Sequence, residues 1–382
     1  MRFLVIGAGL QGCAAAFDLL RQPATKAVIL VDKNVARVPS FLDPWRGKNL
    51  ELVQLDLNDD AAVLAQIRRV DGVCCAAPYF FNTKLTKLAI EAGKHHCDLG
   101  GNTEIVFRQK AMHEEAVRRG VSVIPDCGVA PGMVNILAAE GIRRLDTAEK
   151  VKIYVGGLPQ KPEPPLNYMV VYSLEGCLDY YTSKSWVLRN GRRTQVEALS
   201  ELETVEFPAP WGALEAFHTG GGISTMPFTW EGKVQTMEYK TLRFPGHVAI
   251  MKPIRELGLI ANEPIEVEGV SVRPRALFIA ASAPTLVKPG AKDLIALQVE
   301  VTGLKGGKPA GTRWQMVDLY DEVNHVTSMM RTTGYSLAIT GIMQQDGRIS
   351  KRGVFAPDEI VPGRPMIDDL AARGIILRET AL

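Results

Sequence analysis

The chain is poor in cysteine, carries no excess of either charge and has no long apolar run; each shortage closes a class of function. Six cysteines (Cys13, Cys74, Cys75, Cys97, Cys127, Cys177) are spread over 382 residues without a C-x-x-C pair, which speaks against a disulfide framework or a cysteine-ligated zinc centre. The six histidines keep no ligand spacing either, and His95 and His96 would point to opposite faces of a strand. No metal is expected. Lysine and arginine total 44 against 42 acids, a net charge of +2, too balanced for an electrostatic nucleic-acid binder. No segment has the length and apolarity of a membrane span, and no secretory leader is recognisable. The first strand begins at the N-terminal methionine, so a cytoplasmic protein without a membrane partner is expected.

What is present is concentrated at the start. M-R-F-L-V-I-G-A-G-L-Q-G runs from an apolar strand into Gly7, Gly9 and Gly12, a helix follows, and the next apolar strand, Ala27–Val31, ends on Asp32. In such a strand–turn–helix, Gly7 makes the tight turn, Gly9 lets the backbone approach a pyrophosphate, and Gly12 packs helix on strand. The helix N-terminus around Leu10 and Gln11 offers free N–H groups to that anion. Asp32, 20 residues after Gly12, is placed to bind an adenosine ribose. Its charge repels a 2′-phosphate and favours NAD over NADP, although Lys33 beside it softens the repulsion.

Strand and helix patterns then alternate to about residue 130, as a doubly wound parallel sheet requires. Strands are expected at Leu50–Leu55, Gly72–Ala77, Cys97–Leu99 and Val121–Pro125, with helices at Asp60–Arg69, Asn82–Ala92 and Thr103–Arg119. Ligands of such sheets lie beyond the carboxyl ends of the strands. Asp56 and Leu57 would therefore flank the adenine. The Pro78–Asn82 loop would lie under the nicotinamide ribose, with Ala76 and Ala77 before it and Leu99 also at the cofactor, and the glycine pair Gly100 and Gly101 suggests close backbone approach to a ligand.

From residue 131 the texture changes. Val151–Val155, an N-G turn at Asn190–Gly191, and alternating segments at Asp293–Gly303 and Arg313–Tyr320 predict a mainly antiparallel sheet in a second α+β domain, 131–330. Residues 331–382 read as helices returning to the first domain; Thr327 caps a helix through Met329–Gln345, and Gly374 stops one at Pro365–Arg373. The apolar stretch Ala276–Ala281 reads as core. Sheet edges suggest self-association, with a two-fold dimer as the expected homo-oligomer.

Three polar segments stand out in the second domain: Y-S-L-E-G with Glu175, F-H-T-G-G-G with His218 and Thr219, and Y-K-T-L-R-F-P-G-H with Lys240 and Arg243. Alternation along Glu238–Phe244 puts Lys240 and Leu242 on one face and Tyr239, Thr241 and Arg243 on the other. The planar fork of Arg243 suits a carboxylate.

Together with C-D-L-G-G-N, P-D-C-G-V-A-P-G-M-V-N, P-E-P-P-L-N-Y and R-T-T-G-Y, these motifs resemble the saccharopine dehydrogenase-like family over residues 2–365. P-E-P-P-L-N-Y and A-F-H-T-G-G-G lean toward its lysine 6-dehydrogenase branch, while C-A-A-P-Y-F-F-N departs from the family's usual wording. The resemblance implies NAD-dependent oxidation of the ε-amine of lysine to allysine and ammonia. His218, Glu175 and Lys240 are then candidate bases, Arg243 the carboxylate partner, and Asp98 or Asp126 the partner of the α-ammonium. Saccharopine or a related carboxylated amine is the alternative substrate, and an NAD(H)-sensing regulator the non-enzymatic one.

Overall fold

Strands β1 (Arg2–Ile6), β2 (Ala27–Asp32), β3 (Leu50–Gln54), β4 (Gly72–Cys75), β5 (His95–Asp98) and β6 (Ser122–Ile124) form a parallel sheet in the order β6-β5-β4-β1-β2-β3 in the computed structural model, which describes residues 1–382. The chain reverses direction of travel between β1 and β4, the position where such sheets bind ligands. A seventh strand, Gly353–Val354, joins beside β6, so the C-terminal segment does return to this domain. It does not end there: Arg378–Ala381 crosses to the outer edge of the second sheet, a strand the sequence reading had as helix. The helix expected over Thr103–Arg119 breaks into Thr103–Lys110 and His113–Arg118.

The second sheet takes β7 (Thr147–Pro159), β8 (Ser185–Arg189), β9 (Arg192–Val196), β10 (Glu203–Phe207), β11 (Gly212–His218) and β12 (Val234–Arg243), then Asp293–Lys305 and Lys308–Leu319. Its pairings are antiparallel except β12 on β7. The β8–β9 turn has Asn190 at φ 52° and Gly191 at φ 74°, the left-handed pair that a two-residue hairpin demands.

Two helices lie between the sheets, Met133–Arg143 and the continuous run Ser328–Gln345. Thr327 caps the latter through Met330 N–H (3.1 Å), and the Asp293 carboxylate accepts from the Ser328 and Met329 N–H groups at 2.7 and 2.8 Å. Each such cap stabilises by about 1 kcal/mol and fixes where Met329 and Thr333 emerge. Gly334 is tight against the first helix, since a Cβ there would stand 2.7 Å from both Ala14 Cβ and Gln11 O. Side chains of both sheets share one apolar cluster, from Phe3 and Val5 to Ile295 and Leu297. The two lobes are therefore one packed body, with the cleft at its seam. No helix is long and apolar enough to cross a membrane.

One core expectation is reversed. Ala276–Ala281 belongs to the helix Pro274–Leu286, of which only Arg275 and Leu286 are buried, and Leu277 is 62% exposed.

Candidate active site

Burial and backbone geometry make the N-terminal turn what its sequence predicts. Gly7 sits at φ +98° with its would-be Cβ 2.9 Å from the Ala76 carbonyl, and a Cβ on Gly12 would fall 1.8 Å from Gly7 O. Gly9 has nothing within 4 Å of its Cβ position and faces open space. The helix Leu10–Arg21 starts there without a side-chain cap, leaving its first N–H groups for an anion. Asp32 accepts from Ala8 N–H (2.7 Å) and Asn34 N–H (2.9 Å), which orients the carboxylate at the strand tip. These residues fit a dinucleotide. Lys33 turns away to Asp56 at 3.5 Å, both exposed, and the Asn58 N–H lowers the pKa of Asp56.

A cleft of about 890 Å³ runs from this turn along the strand tips. It is lined by Gly7, Gly9, Leu10, Gln11, Asp32 and Lys33, and beyond them by Asp56, Leu57, Ala76, Ala77, Pro78 and Gly100. Gly12 packs beneath the turn instead of lining it, and Leu99 faces the next chamber. The opposite wall comes from the second lobe: Tyr172, Ser173, Glu175, Asp179 and Tyr180.

That chamber is a pocket of about 220 Å³, joined to the cleft at Gln11, Gly100, Gly101, Tyr172 and Tyr180. Four tyrosines (Tyr172, Tyr180, Tyr181, Tyr239) dominate its wall, with Cys177, Thr241, Met329 and Thr333. Arg243 is its one charged lining residue. Strand alternation on β12 brings Tyr239, Thr241 and Arg243 to the pocket as predicted. Arg243 is 4% exposed and meets no carboxylate: Nε donates to the Tyr181 hydroxyl (3.1 Å), Nη1 to the Leu242 carbonyl (2.8 Å), and the guanidinium lies 4.6 Å from the Tyr168 ring centre. Tyr181 in turn meets His247 Nε2 at 2.9 Å, while His247 Nδ1 donates to the Leu166 carbonyl (3.2 Å). Burial first, and then the charge of Arg243, push the His247 pKa down to about 3. The imidazole is therefore a neutral acceptor, and the chain His247–Tyr181–Arg243 has a fixed direction.

Asp126 stands behind the junction of cleft and pocket. It follows β6 at φ +62°, and both carboxylate oxygens are buried without a partner. A Cβ on Gly100 would lie 1.7 Å from Asp126 Oδ1, so only glycine leaves the carboxylate its place. Burial first, with the charge of Asp98 adding to it, raises the Asp126 pKa to about 7.

The remaining candidates are not brought together. Lys240 lies on the far face of the second sheet, bonded to the Glu201 carbonyl (2.7 Å) and Glu203 (2.8 Å). His218 pairs with Lys240 in the β11–β12 register and is held there by the Tyr239 carbonyl and Glu201, both at 3.1 Å. Neither lines the pocket, and their expected role as bases is corrected accordingly. Thr219 is one layer back, bonded to the Thr241 hydroxyl at 2.7 Å. Asp98 is held by its neighbours: Oδ1 accepts from Asn82 and the Gly100 N–H, both at 2.8 Å, and Oδ2 from Gln109 at 2.6 Å. It anchors the loop, is fully buried and lines neither chamber. Glu175 sits at the cleft mouth, half-exposed, 3.5 Å from Arg275. The tyrosine wall was missed; Tyr180 and Tyr181 give no local signal, whereas the alternation of β12 already separated Arg243 from Lys240.

Comparison with known proteins agrees with this architecture. The model of the saccharopine dehydrogenase NADP binding domain matches residues 3–124, and that of the saccharopine dehydrogenase C-terminal domain residues 128–375. The saccharopine dehydrogenase [NADP(+), L-glutamate-forming] of Schizosaccharomyces pombe is 23% identical, over 87% of this chain and 88% of its own. The alpha-aminoadipic semialdehyde synthase of Arabidopsis thaliana is also 23% identical over 87% of this chain, which spans 39% of that longer protein. The solved apo saccharopine dehydrogenase (L-Glu forming) of Saccharomyces cerevisiae shares the fold, with a TM-score of 0.80 at 19% identity over 100% of this chain and 99% of that one. With both family models matched end to end over the two lobes that build the cleft, the chain belongs to the saccharopine dehydrogenase family.

Proposed function

We propose that this protein oxidises the ε-amine of L-lysine with NAD, giving allysine and ammonia. The observation that carries the reading is Arg243, a buried guanidinium without a carboxylate partner and the one charged group lining an otherwise tyrosine-rich pocket. A buried unpaired cation is costly, so its site is relieved by a ligand with a single carboxylate. Asp32 at the ribose end supports NAD over NADP through charge repulsion.

The geometry also gives the substrate a direction. Arg243 lines the inner pocket alone, whereas Gly100, with Asp126 against it, lies where pocket meets cleft. The carboxylate end belongs at Arg243 and the reacting carbon at the junction. The nicotinamide, when bound, supplies the hydride acceptor. A free lysine amine, with a pKa of about 10.4, arrives protonated and must lose that proton before its lone pair can assist. Asp126, with a pKa of about 7, is suited to receive it near neutrality. This moves Asp126 from the α-ammonium role expected of it to the reacting amine. The tyrosines exclude bulk water from around the carbon, and one admitted water hydrolyses the imine to aldehyde and ammonia.

A second reading, oxidation of saccharopine with NADP, is favoured by the names of the relatives matched over 87% of the chain. A panel of lysine, saccharopine and simple amines with NAD and NADP, followed at the NADH absorbance band, tests both. Turnover of lysine with NAD is expected; turnover of saccharopine with NADP, and none of lysine, would select the second reading.

A further inference from the structure

The segment F-H-T-G-G-G-I-S-T, residues 217–225, lends no group to the chemistry described so far, yet it presses on the pocket from behind. The Thr219 hydroxyl is bonded to that of Thr241, a pocket residue. A Cβ on Gly221 would stand 2.6 Å from the Tyr180 ring, and one on Gly222 2.2 Å from the Tyr239 ring, so only glycine lets the backbone come this close to two of the pocket's tyrosines. Asn135, buried, ties the far end of the turn to the loop that follows Asp126. Its Oδ1 accepts from the Gly132 N–H (3.0 Å), and its Nδ2 donates to the Ile223 carbonyl (3.1 Å). The next residue, Ser224, is thereby carried to the Asp126 carboxylate.

Ser224 is costly where it stands. Its backbone is at φ +45°, a region strained for any residue with a Cβ, and its hydroxyl is buried without a hydrogen-bond partner. A turn that needed only this backbone would use glycine, as the three positions Gly220, Gly221 and Gly222 just before it do. The hydroxyl also makes no bond that would hold the turn together. What it does is face Asp126, from one side, while the Gly101 N–H faces the same carboxylate from another. Neither oxygen of Asp126 completes a bond with them. Buried polar groups in native proteins are almost always satisfied, by protein or by ordered water. A buried water takes about three such partners, and a hydroxyl beside a carboxylate offers both a donor and acceptors. The group also lies close to the substrate path, because Gly100 and Gly101, which line both chambers, put no side chain between Asp126 and the junction.

We propose that Ser224 is a catalytic residue of the hydrolytic half-reaction: together with Asp126 it holds and aims the water that attacks the imine. The inference rests on the amine oxidation proposed above. Once hydride has left the carbon, the substrate is an iminium, and Asp126 has passed the proton of the ammonium on to solvent. The water donates one hydrogen to the Asp126 carboxylate and the other to Ser224 Oγ, which turns an oxygen lone pair toward the carbon. The carbon–oxygen bond forms as Asp126 takes the water's proton and the C=N electron pair moves onto nitrogen. Asp126 returns that proton to nitrogen. The C–N bond then breaks with its pair on nitrogen, and the hydroxyl proton passes to Asp126 as the aldehyde forms and ammonia leaves. Ser224 enters only after hydride transfer, so its contribution is separable in time from that of Asp126, which serves both halves.

Rapid mixing of the purified full-length protein with NAD and lysine, followed at the NADH absorbance band, tests this with two variants. Ser224→Gly removes the hydroxyl and relieves the backbone; Ser224→Ala removes the hydroxyl and keeps the strain. In both, the first turnover of NADH should appear at the wild-type rate, and the steady rate that follows should fall at least about 10-fold, the worth of one hydrogen bond to the attacking water. The deuterium isotope effect of lysine labelled at the reacting carbon should shrink in the steady state of both, since hydride transfer no longer limits. NAD affinity should be unchanged, and Ser224→Gly should melt no lower than the wild type. Wild-type steady turnover in Ser224→Gly would overturn the inference and leave the residue a backbone role. A first turnover slowed as much as the steady rate would overturn it too, placing the hydroxyl before hydride transfer. A wild type that makes no NADH from lysine would remove the reading beneath it, and the inference with it.

Discussion

Replacing Arg243 by methionine should damage catalysis far more than folding, and the structure indicates by how much. In the protein as it stands the guanidinium gives up its hydration for hydrogen bonds to Tyr181 and Leu242, a long and weaker one to the Cys177 sulfur, and a stacking contact with Tyr168. The first two bonds are worth about 1.5–3 kcal/mol each as charged interactions, and the stacking about 2 kcal/mol. Against them stands a desolvation penalty of several kcal/mol that no carboxylate offsets. The terms nearly cancel, and methionine refills the space, so the folded state should change by no more than about 2 kcal/mol in either direction. The substrate has no such compensation. Losing a buried charge partner for the α-carboxylate costs about 3–4 kcal/mol, or roughly 10²–10³-fold in kcat/KM.

The assay that isolates this is a comparison of lysine with 1,5-diaminopentane, which has the same reacting amine and no carboxylate. In the wild type lysine should be strongly preferred; in Arg243→Met the preference should collapse, with the diamine rate and NAD affinity little altered. Equal losses on both substrates would refute the placement of the carboxylate at Arg243. So would a variant that unfolds, because the ledger above would then be wrong in its largest entries.

Asp126→Asn should lower lysine turnover at least about 100-fold and remove the acidic limb of kcat/KM that the wild type should show near pH 7; an unchanged pH profile in the residual activity would count against a base role. The same group bears on stability. Its folded pKa of about 7 lies above the unfolded value of about 3.9, so its contribution is whole below pH ~4 and is lost as pH rises through ~7. Denaturation free energy should therefore fall across that window in the wild type and flatten in Asp126→Asn. Tyr181→Phe cuts the link between His247 and Arg243 without touching the pocket's charge; steady-state kinetics should show KM for lysine up by about 3–20-fold, from one or two lost hydrogen bonds, with kcat nearly constant. Asp32→Ala should lower the ratio of NAD to NADP efficiency at least about 10-fold, since a full charge no longer opposes the 2′-phosphate; a ratio unmoved in initial-rate measurements would remove Asp32 from cofactor choice.

What could be read in the sequence was what short-range sterics decide. Gly7 and Gly12 are each required by a contact within the same strand–turn–helix or with Ala76 just after β4, Gly9 leaves its side of the turn open, and Asp32 follows from the length of that unit. The two-residue period of β12 likewise separated Arg243 from Lys240 before any tertiary information. His218 was misjudged because its face is set by register: it opposes Lys240 across the β11–β12 pair, and pairing partners are not written in either strand. The helix Pro274–Leu286 failed differently. Its apolar composition reads as core, but only Arg275 and Leu286 of it are buried, because packing and not composition decides which positions face inward. Tyr172, Tyr180 and Tyr181 reach the pocket from a segment some sixty residues before Arg243, and only the packed fold unites them.

The lobes contribute opposite halves of one electrostatic arrangement. The first domain holds an acid without a hydrogen-bond partner behind the junction, the second a guanidinium without a carboxylate partner in the pocket, and each alone is an expense to the fold. They are not spent on each other, which a protein seeking stability would arrange. A ligand carrying a cation at the reacting end and a carboxylate at the other relieves both at once, and lysine is such a molecule. Saccharopine places a glutamyl arm with two further carboxylates on the reacting nitrogen, beside Asp126 and without another cation lining the pocket. On the proposed reading, repulsion there would work against that substrate through the same acid that favours an ammonium, so the charge pattern of the seam, more than its shape, would favour lysine over saccharopine.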